Sequence, residues 1–203
     1  MDRASKIFID IQSHLLEDDK PSLYIEELSR SELFGSYPLV MLKELKKTDQ
    51  SPKHHPEGNV WNHTMLVVDQ AAKVKVQSSD PGAFMWAALL HDIGKPATTK
   101  IRKGRITSYD HDIAGAELTV KFLKEFTDHE IFIEKVAELV RWHMQILFVI
   151  NNLPFADVKK MKSRTDIKEV ALLGFCDRMG RLGANQAEET GNIEKFLLKV
   201  SDM

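Results

Sequence analysis

The apolar positions of this chain recur with the period of a helix, not with the alternation of a strand. The pattern predicts a first helix over Asp2–Glu17, broken by Asp19, Lys20 and Pro21. Proline is tolerated at a helix start, where its missing N–H would be unpaired anyway, so a second helix is expected over Ser22–Leu33. Gly35 and Pro38 punctuate a short helix carrying Leu39, Leu42 and Leu45. Segment 49–59 holds two prolines and a glycine and reads as a loop. A helix over Val60–Val76 and a turn over Ser78–Gly82 lead into Ala83–Leu90, an almost wholly apolar helix that stops at His91. Around Lys103-Gly104, β-favouring residues predict a small hairpin over about 98–108. Helices are then expected at Asp110–Phe126, His129–His143, Phe155–Lys162 and Asp166–Leu182, with Asp166 as N-cap, and a shorter one at Ile193–Val200. The fold class is therefore all-α, a helical bundle with one hairpin.

The polar residues that break the apolar stripes carry the chemical information. On a helix, positions i, i+3, i+4, i+7 and i+11 share a face. His63 shares its face with Leu66, Val67 and Val74, and His111 with Ala114, Gly115, Leu118 and Phe122. His143 follows Phe132, Val136, Leu139 and Val140 on one stripe, and Asp177 sits among Val170, Leu173 and Gly174. His91 and Asp92 end the most apolar helix of all. Taken singly, each histidine is more readily a hydrogen-bonded core residue than a ligand, and Asp177 has Arg181 four residues on for a helical ion pair. His14 and His129 fit surface or helix-end roles, and His54 and His55, in the proline-rich loop, are ambiguous. Taken together, two inward aspartates and several inward histidines make a poor core, because a buried ionised carboxylate costs several kcal/mol unless paired or coordinated. They make a good site for a divalent cation, which imidazole nitrogen and carboxylate oxygen both suit.

Composition narrows the setting. The 203 residues are 43% apolar and 29% charged, an ordinary globular balance able to bury a core. A net charge of −2 gives no electrostatic reason to expect membrane or strong nucleic-acid binding, so RNA is not an indicated partner. The single cysteine, Cys176, excludes an internal disulfide framework. No apolar run is long enough to span a bilayer, and Met1–Lys20 mixes charges in a way unlike a signal peptide. The expectation is a cytoplasmic protein.

His63, then His91-Asp92, then Asp177 resemble the H…HD…D signature of the HD-domain superfamily of metal-dependent phosphohydrolases. The segment Ala87-Ala88-Leu89-Leu90-His91-Asp92-Ile93-Gly94-Lys95-Pro96 is similar to the core of that family. Five ordered blocks are more specific still. His55-Pro56-Glu57-Gly58-Asn59-Val60-Trp61-Asn62-His63-Thr64, Gly104-Arg105, Tyr109-Asp110-His111-Asp112, Gly115-Ala116-Glu117 and Leu139-Val140-Arg141-Trp142-His143-Met144 resemble the HD region of bacterial CCA-adding tRNA nucleotidyltransferases. Met1–Asp49 resembles no part of the nucleotidyltransferase domain that precedes that region, so the chain is expected to be the HD part standing alone. Its organisation is then an N-terminal helical extension over 1–50, an HD domain over 51–185 and a C-terminal tail or helix over 186–203.

The resemblance implies a metal-dependent phosphohydrolase that cleaves a phosphomonoester or a cyclic phosphodiester, of a nucleotide, by metal-activated water. It implies His63, His91, Asp92 and Asp177 as ligands of a divalent metal: Mn, Co, Ni, Fe, Mg or Zn. His111 and His143 match positions that hold a second ion in two-metal members, with Asp92 bridging. If there is one metal, His111 or His143 is instead a general acid or phosphate ligand. Asp92, Lys95 and His111 are the candidate catalytic residues. Lys95, Arg105 and Arg181 are candidate substrate contacts, with Lys100, Arg102 and Lys103 forming a basic rim beside Arg105. Arg178 faces either the site or solvent. The partner is a small phosphorylated substrate. The alternative is a non-catalytic HD module that binds nucleotide, RNA or a protein. Oligomeric state is not legible.

Overall fold

A computed structural model describes residues 3–201 of the chain. The chain folds as helix upon helix, with one antiparallel hairpin. The helices in order are α1 (Arg3–Glu17), α2 (Pro21–Leu28), α3 (Val40–Lys43), α4 (Val60–Val74), α5 (Pro81–Leu90) and α6 (Lys95–Thr98). The hairpin β1 (Lys100–Arg102) and β2 (Arg105–Thr107) follows, with Ile101 opposite Ile106. Then come α7 (His111–Lys124), α8 (Glu130–Trp142), α9 (Gln145–Ile150), α10 (Val158–Arg164), α11 (Ile167–Met179) and α12 (Gln186–Ser201). No helix among the described residues is long and apolar enough to cross a membrane.

The bundle is built around α5. Asp80 caps it by accepting from the Ala83 N–H at 3.1 Å, and Pro81 occupies its first turn. Every residue from Ala83 to Leu90 is at most 1% exposed. A helix that is apolar all round must be covered all round, and α1, α4, α8 and α11 supply the cover. Trp86 stacks on Phe8 of α1 with ring centroids 5.1 Å apart, fastening the N-terminal helix to the core.

Several boundaries differ from the pattern-based expectation. The expected start of α1 at Asp2 lies outside the described residues, as do the last two positions of the expected tail. The second helix stops at Leu28, not Leu33, and Glu32–Gly35 forms a 3₁₀ turn that buries Phe34. The chain after His143 is helical again as α9, which was not expected, and α10 begins at Val158, not Phe155. The terminal helix begins at Gln186, seven residues before Ile193. It packs on α9 and α11 through buried Phe196 and Val200, so its polar first half is the solvent side of a docked helix.

Two glycines set helix crossings that matter below. A Cβ on Gly94 would lie 2.1 Å from the His111 carbonyl oxygen and 2.6 Å from the Gly115 nitrogen. The turn after Asp92 therefore rests directly on the first turn of α7. A Cβ on Gly180 would lie 2.5 Å from a Val67 methyl and 3.1 Å from the Val67 nitrogen. That contact brings the end of α11 onto α4, one turn from both Asp177 and His63. Because the atoms facing Gly94 are backbone, Gly94→Ala is expected to destabilise the protein by about 3 kcal/mol. Urea unfolding of the two proteins checks this, and a loss below about 1 kcal/mol would show that α7 is free to move.

Candidate metal centre

Four imidazoles and two carboxylates meet at the end of α5. Ring centroids are 5.4 Å apart for His63 and His91, 5.5 Å for His91 and His143, and 5.2 Å for His111 and His143. Asp92 sits among them, 1% exposed. Its Oδ2 lies 3.2 Å from His91 Nε2 and 2.7 Å from Lys95 Nζ. Its Oδ1 lies 3.4 Å from His111 Nε2 and 4.0 Å from His143 Nε2. On the far side of His63, Nε2 is 3.0 Å from Asp177 Oδ1, and Arg181 approaches the other Asp177 oxygen at 3.6 Å.

The orientation of three rings follows from ordinary helix-end chemistry. The last carbonyls of a helix lack intrahelical partners. His91 Nδ1 donates to the Ala88 carbonyl at 2.9 Å, and His143 Nδ1 to the Val140 carbonyl at 2.6 Å. His111 Nδ1 donates to the Ser108 carbonyl at 2.7 Å, in the turn before α7. Each ring thus carries its proton on Nδ1 and turns a bare Nε2 lone pair inward, toward Asp92. A carbonyl acceptor behind a histidine is the usual way a protein fixes a metal ligand.

The result is unsatisfied without a cation. His91 Nε2 is buried with no hydrogen-bond partner. His111 Nε2 and His143 Nε2 face each other at 3.2 Å, although both nitrogens are lone-pair acceptors once both Nδ1 atoms donate. Burial holds His111 at about 4, and the His143 value also falls for the same reason. Burial works against the Asp92 carboxylate, but His91 and Lys95 outweigh it and hold the pKa well below the usual carboxylate range. Asp177 is held low against its burial by Arg181 and His63. His63 moves the other way: burial lowers it, but Asp177 and Glu57 outweigh burial and raise it. Neutral His111 and His143 beside ionised Asp92 are the protonation states that bind metal. His63, His91 and Asp92 bring ligand atoms within 4.8 Å of one another, as do Asp92, His111 and His143. The donor set fits a divalent metal, and Asp92 belongs to both groups.

A cavity of about 670 Å³ opens onto this cluster. Asp92, His111, His143 and Asp177 line it, together with Lys95 and Arg181, while His63 and His91 lie behind its floor. Lys95 is only 8% exposed, paired with Asp92 and donating to Gln50 Oε1 at 2.6 Å, so it is not a solvated loop lysine. Arg178 turns away to pair with Glu189 on α12. Arg105 is exposed on β2 and does not line the cavity, although its neighbour Ile106 does. The same holds for Lys100, Arg102 and Lys103, all exposed on the hairpin.

Two further residues belong to the centre that periodicity did not reveal. Glu57 meets His55 and His63, and Gln50 holds Lys95. Both lie in or beside the loop before α4, where no helical period marks an inward side chain. His55, ambiguous in the pattern, lines the cavity.

Residues 60–193 match the HD domain family. The chain belongs to it. The matched stretch starts at α4 and ends within α12, and it contains His63, His91, Asp92, Lys95, His111, His143 and Asp177, while Gln50, His55 and Glu57 precede it. Among curated proteins the chain is 28% identical over 98% of its length to a Multifunctional CCA protein of Actinobacillus pleuropneumoniae, covering 49% of that protein. It is 28% identical over 91% of its length to one from Pasteurella multocida, covering 45%. It is 31% identical over 89% of its length to one from Verminephrobacter eiseniae, covering 43%. The chain thus spans about half the length of the curated relatives it matches.

The metal reading carries a direct expectation. Metal added at one hundred times its Kd should stabilise the folded chain by about 2.7 kcal/mol. Mn²⁺ or Co²⁺ titrated into metal-free protein should therefore raise Tm with concentration, reversibly on adding a chelator. The shift should vanish in Asp92→Asn. A Tm indifferent to all divalent transition metals would refute the metal centre.

Proposed function

We propose that this chain is a metal-dependent phosphohydrolase that cleaves a phosphomonoester or cyclic phosphodiester of a nucleotide. The observation that carries the reading is the set of lone pairs converging on a buried, ionised Asp92 at the floor of an open cavity. His63, His91, Asp92 and Asp177 would hold one cation, and His111 and His143 with Asp92 a second. When bound, such a cation supplies a water of lowered pKa near neutral pH and offsets charge on a phosphoryl oxygen.

The chain's own residues do the rest. Lys95 and Arg181 are cations at the cavity wall, placed to meet phosphoryl oxygens that are not held by metal. Gln50 fixes the Lys95 ammonium from one side and Asp92 from the other, so its charge is held in place before substrate arrives. His111 reaches the cavity with a neutral ring whose proton is tied to the Ser108 carbonyl, which makes it a ligand or acceptor rather than an acid.

A nucleotide fits the remaining wall. Met144, Leu147, Phe148, Phe155, Tyr109 and Ile113 line the cavity. Phe155 is 62% exposed, yet its loop is pinned: buried Gln145 accepts from the Asp157 N–H at 2.9 Å and donates to the Phe155 carbonyl at 3.4 Å. Phe148 packs beside it with centroids 5.6 Å apart. A held, exposed ring near a cationic floor suits a planar base joined to a phosphate. The multifunctional CCA proteins to which the chain is similar are, by name, proteins of CCA handling, and nucleotide substrates agree with that kinship.

Assaying a panel of phosphate esters with Mn²⁺, Co²⁺, Ni²⁺ or Mg²⁺ should show turnover that Asp92→Ala abolishes. Absence of turnover with every metal, or full activity in the variant, sinks the reading and leaves a binding module. Base–aromatic stacking is worth about 1–3 kcal/mol. Phe155→Ala should therefore lower kcat/KM for a nucleoside phosphate by about tenfold or more and leave that for glycerol phosphate unchanged. Equal losses on both would remove the base from the cavity wall.

A further inference from the structure

His63 differs from the other three imidazoles of the centre. They end or precede helices and take their orientation from a main-chain carbonyl three residues back. His63 lies inside α4, where the ladder already uses the nearby carbonyls: Asn59 O accepts from the His63 N–H at 3.3 Å, and Val60 O takes the Thr64 hydroxyl at 2.9 Å. No carbonyl is offered to its Nδ1.

Glu57 stands in that place. Its side chain is 2% exposed, and Oε1 lies 2.8 Å, on an oblique approach, from His63 Nδ1 and 2.9 Å from His55 Nδ1. Oε2 accepts from the Leu182 N–H at 3.3 Å, five residues past Asp177. The Glu57 carbonyl accepts from Asn62 Nδ2 at 3.0 Å, which holds the loop against the first turn of α4. Among the described residues Glu57 has no lysine or arginine partner. A buried carboxylate facing two imidazoles costs too much to keep unless it is used.

We propose that Glu57 is a positioning residue of the metal centre. Its Oε1 stands behind His63 Nδ1 and keeps a proton there, so that Nε2, which meets Asp177, is the nitrogen that can give up its proton to a cation. Through Leu182 it also ties the loop to the chain that follows Asp177, so one carboxylate sets two ligands borne by separate helices. This inference rests on the metal-dependent reading. The competing assignment is a separate cation between His55, Glu57 and His63, whose ligand atoms also lie within 4.8 Å of one another.

The test uses the full chain, stripped of metal, as wild type, Glu57→Gln and Glu57→Ala. Long-range ¹H–¹⁵N spectra of the histidine rings read which His63 nitrogens carry protons, and calorimetric titration with Mn²⁺ reads affinity and stoichiometry. Both His63 nitrogens meet carboxylate oxygens, so the metal-free wild type should show a proton on Nδ1 as well as on Nε2, and Glu57→Ala should lose the Nδ1 proton while keeping the one shared with Asp177. Loss of an outer partner of a ligand costs 10–100-fold in metal affinity. Glu57→Ala should lie near the upper end and Glu57→Gln, nearly isosteric, near tenfold, with the Gln variant melting close to wild type. Wild-type affinity in Glu57→Gln, or an Nδ1 proton retained in a folded Glu57→Ala, overturns the proposal. So does a loss of one whole ion per chain with the remaining sites unweakened, which would assign a separate cation to the triad. A wild type that binds no Mn²⁺ would defeat the metal-dependent reading alone, because the Nδ1 proton still reports on Glu57.

Discussion

A single ionised carboxylate at the end of a wholly buried helix constrains everything around it. α5 has no polar face, so the bundle must enclose it, and the helix delivers Asp92 into the interior with it. That carboxylate is 1% exposed. Among the described residues Lys95 is the permanent cation that pairs with it, and the imidazole lone pairs turned toward it call for a second. Both helices that close this ring depend on near contact. Gly94 lets α7 descend onto the turn after Asp92, and Gly180 lets α11 lie on α4. The fold and the metal site are thus one problem in packing, solved by leaving out two methyl groups.

Much of this was legible along the chain. His63 and Asp177 stand on helices where apolar neighbours share their face, and His91-Asp92 end a helix apolar all round, so each polar residue announces an inward side chain. The structure places them with Asp92 in one cluster. The shorter elements were not legible. α9 spans Gln145–Ile150, too few residues to establish a period after α8 has ended. The first half of α12 is polar because it faces solvent, and only the later Phe196 and Val200 betray its docking. Glu57 and Gln50 escaped for another reason. Their roles lie in contacts to Leu182 and Lys95, 125 and 45 residues away in the chain, and a loop side chain leaves no repeating mark of such a partner. The hairpin cations erred the other way: they cluster in the sequence, but their strand pairing keeps them exposed and off the cavity lining.

The cavity separates two tasks in space. His63 and His91 lie behind the floor, sealed from solvent, while Asp92, His111, His143 and Asp177 reach the open side. On the proposed reading, a cation held by the residues at the back would be the harder to reach, and one at the front would meet a ligand. Asp92 alone touches both groups. On the proposed reading, specificity would be carried by other elements, α9 and the loop after it, with α9 packed against α12 and α11. That division agrees with a family fold that does not by itself dictate a substrate.

The main-chain acceptors behind His91, His111 and His143 have a consequence for how this centre tolerates change. A carbonyl cannot be deleted by substitution. As long as the helix ends stay where they are, the residues at Ala88, Ser108 and Val140 can be exchanged for others of similar size without turning the rings they hold. The fourth ring has no such protection, since what stands behind it is a side chain encoded by one codon. Among the groups that orient the four rings, the one open to substitution is therefore the side chain in the loop.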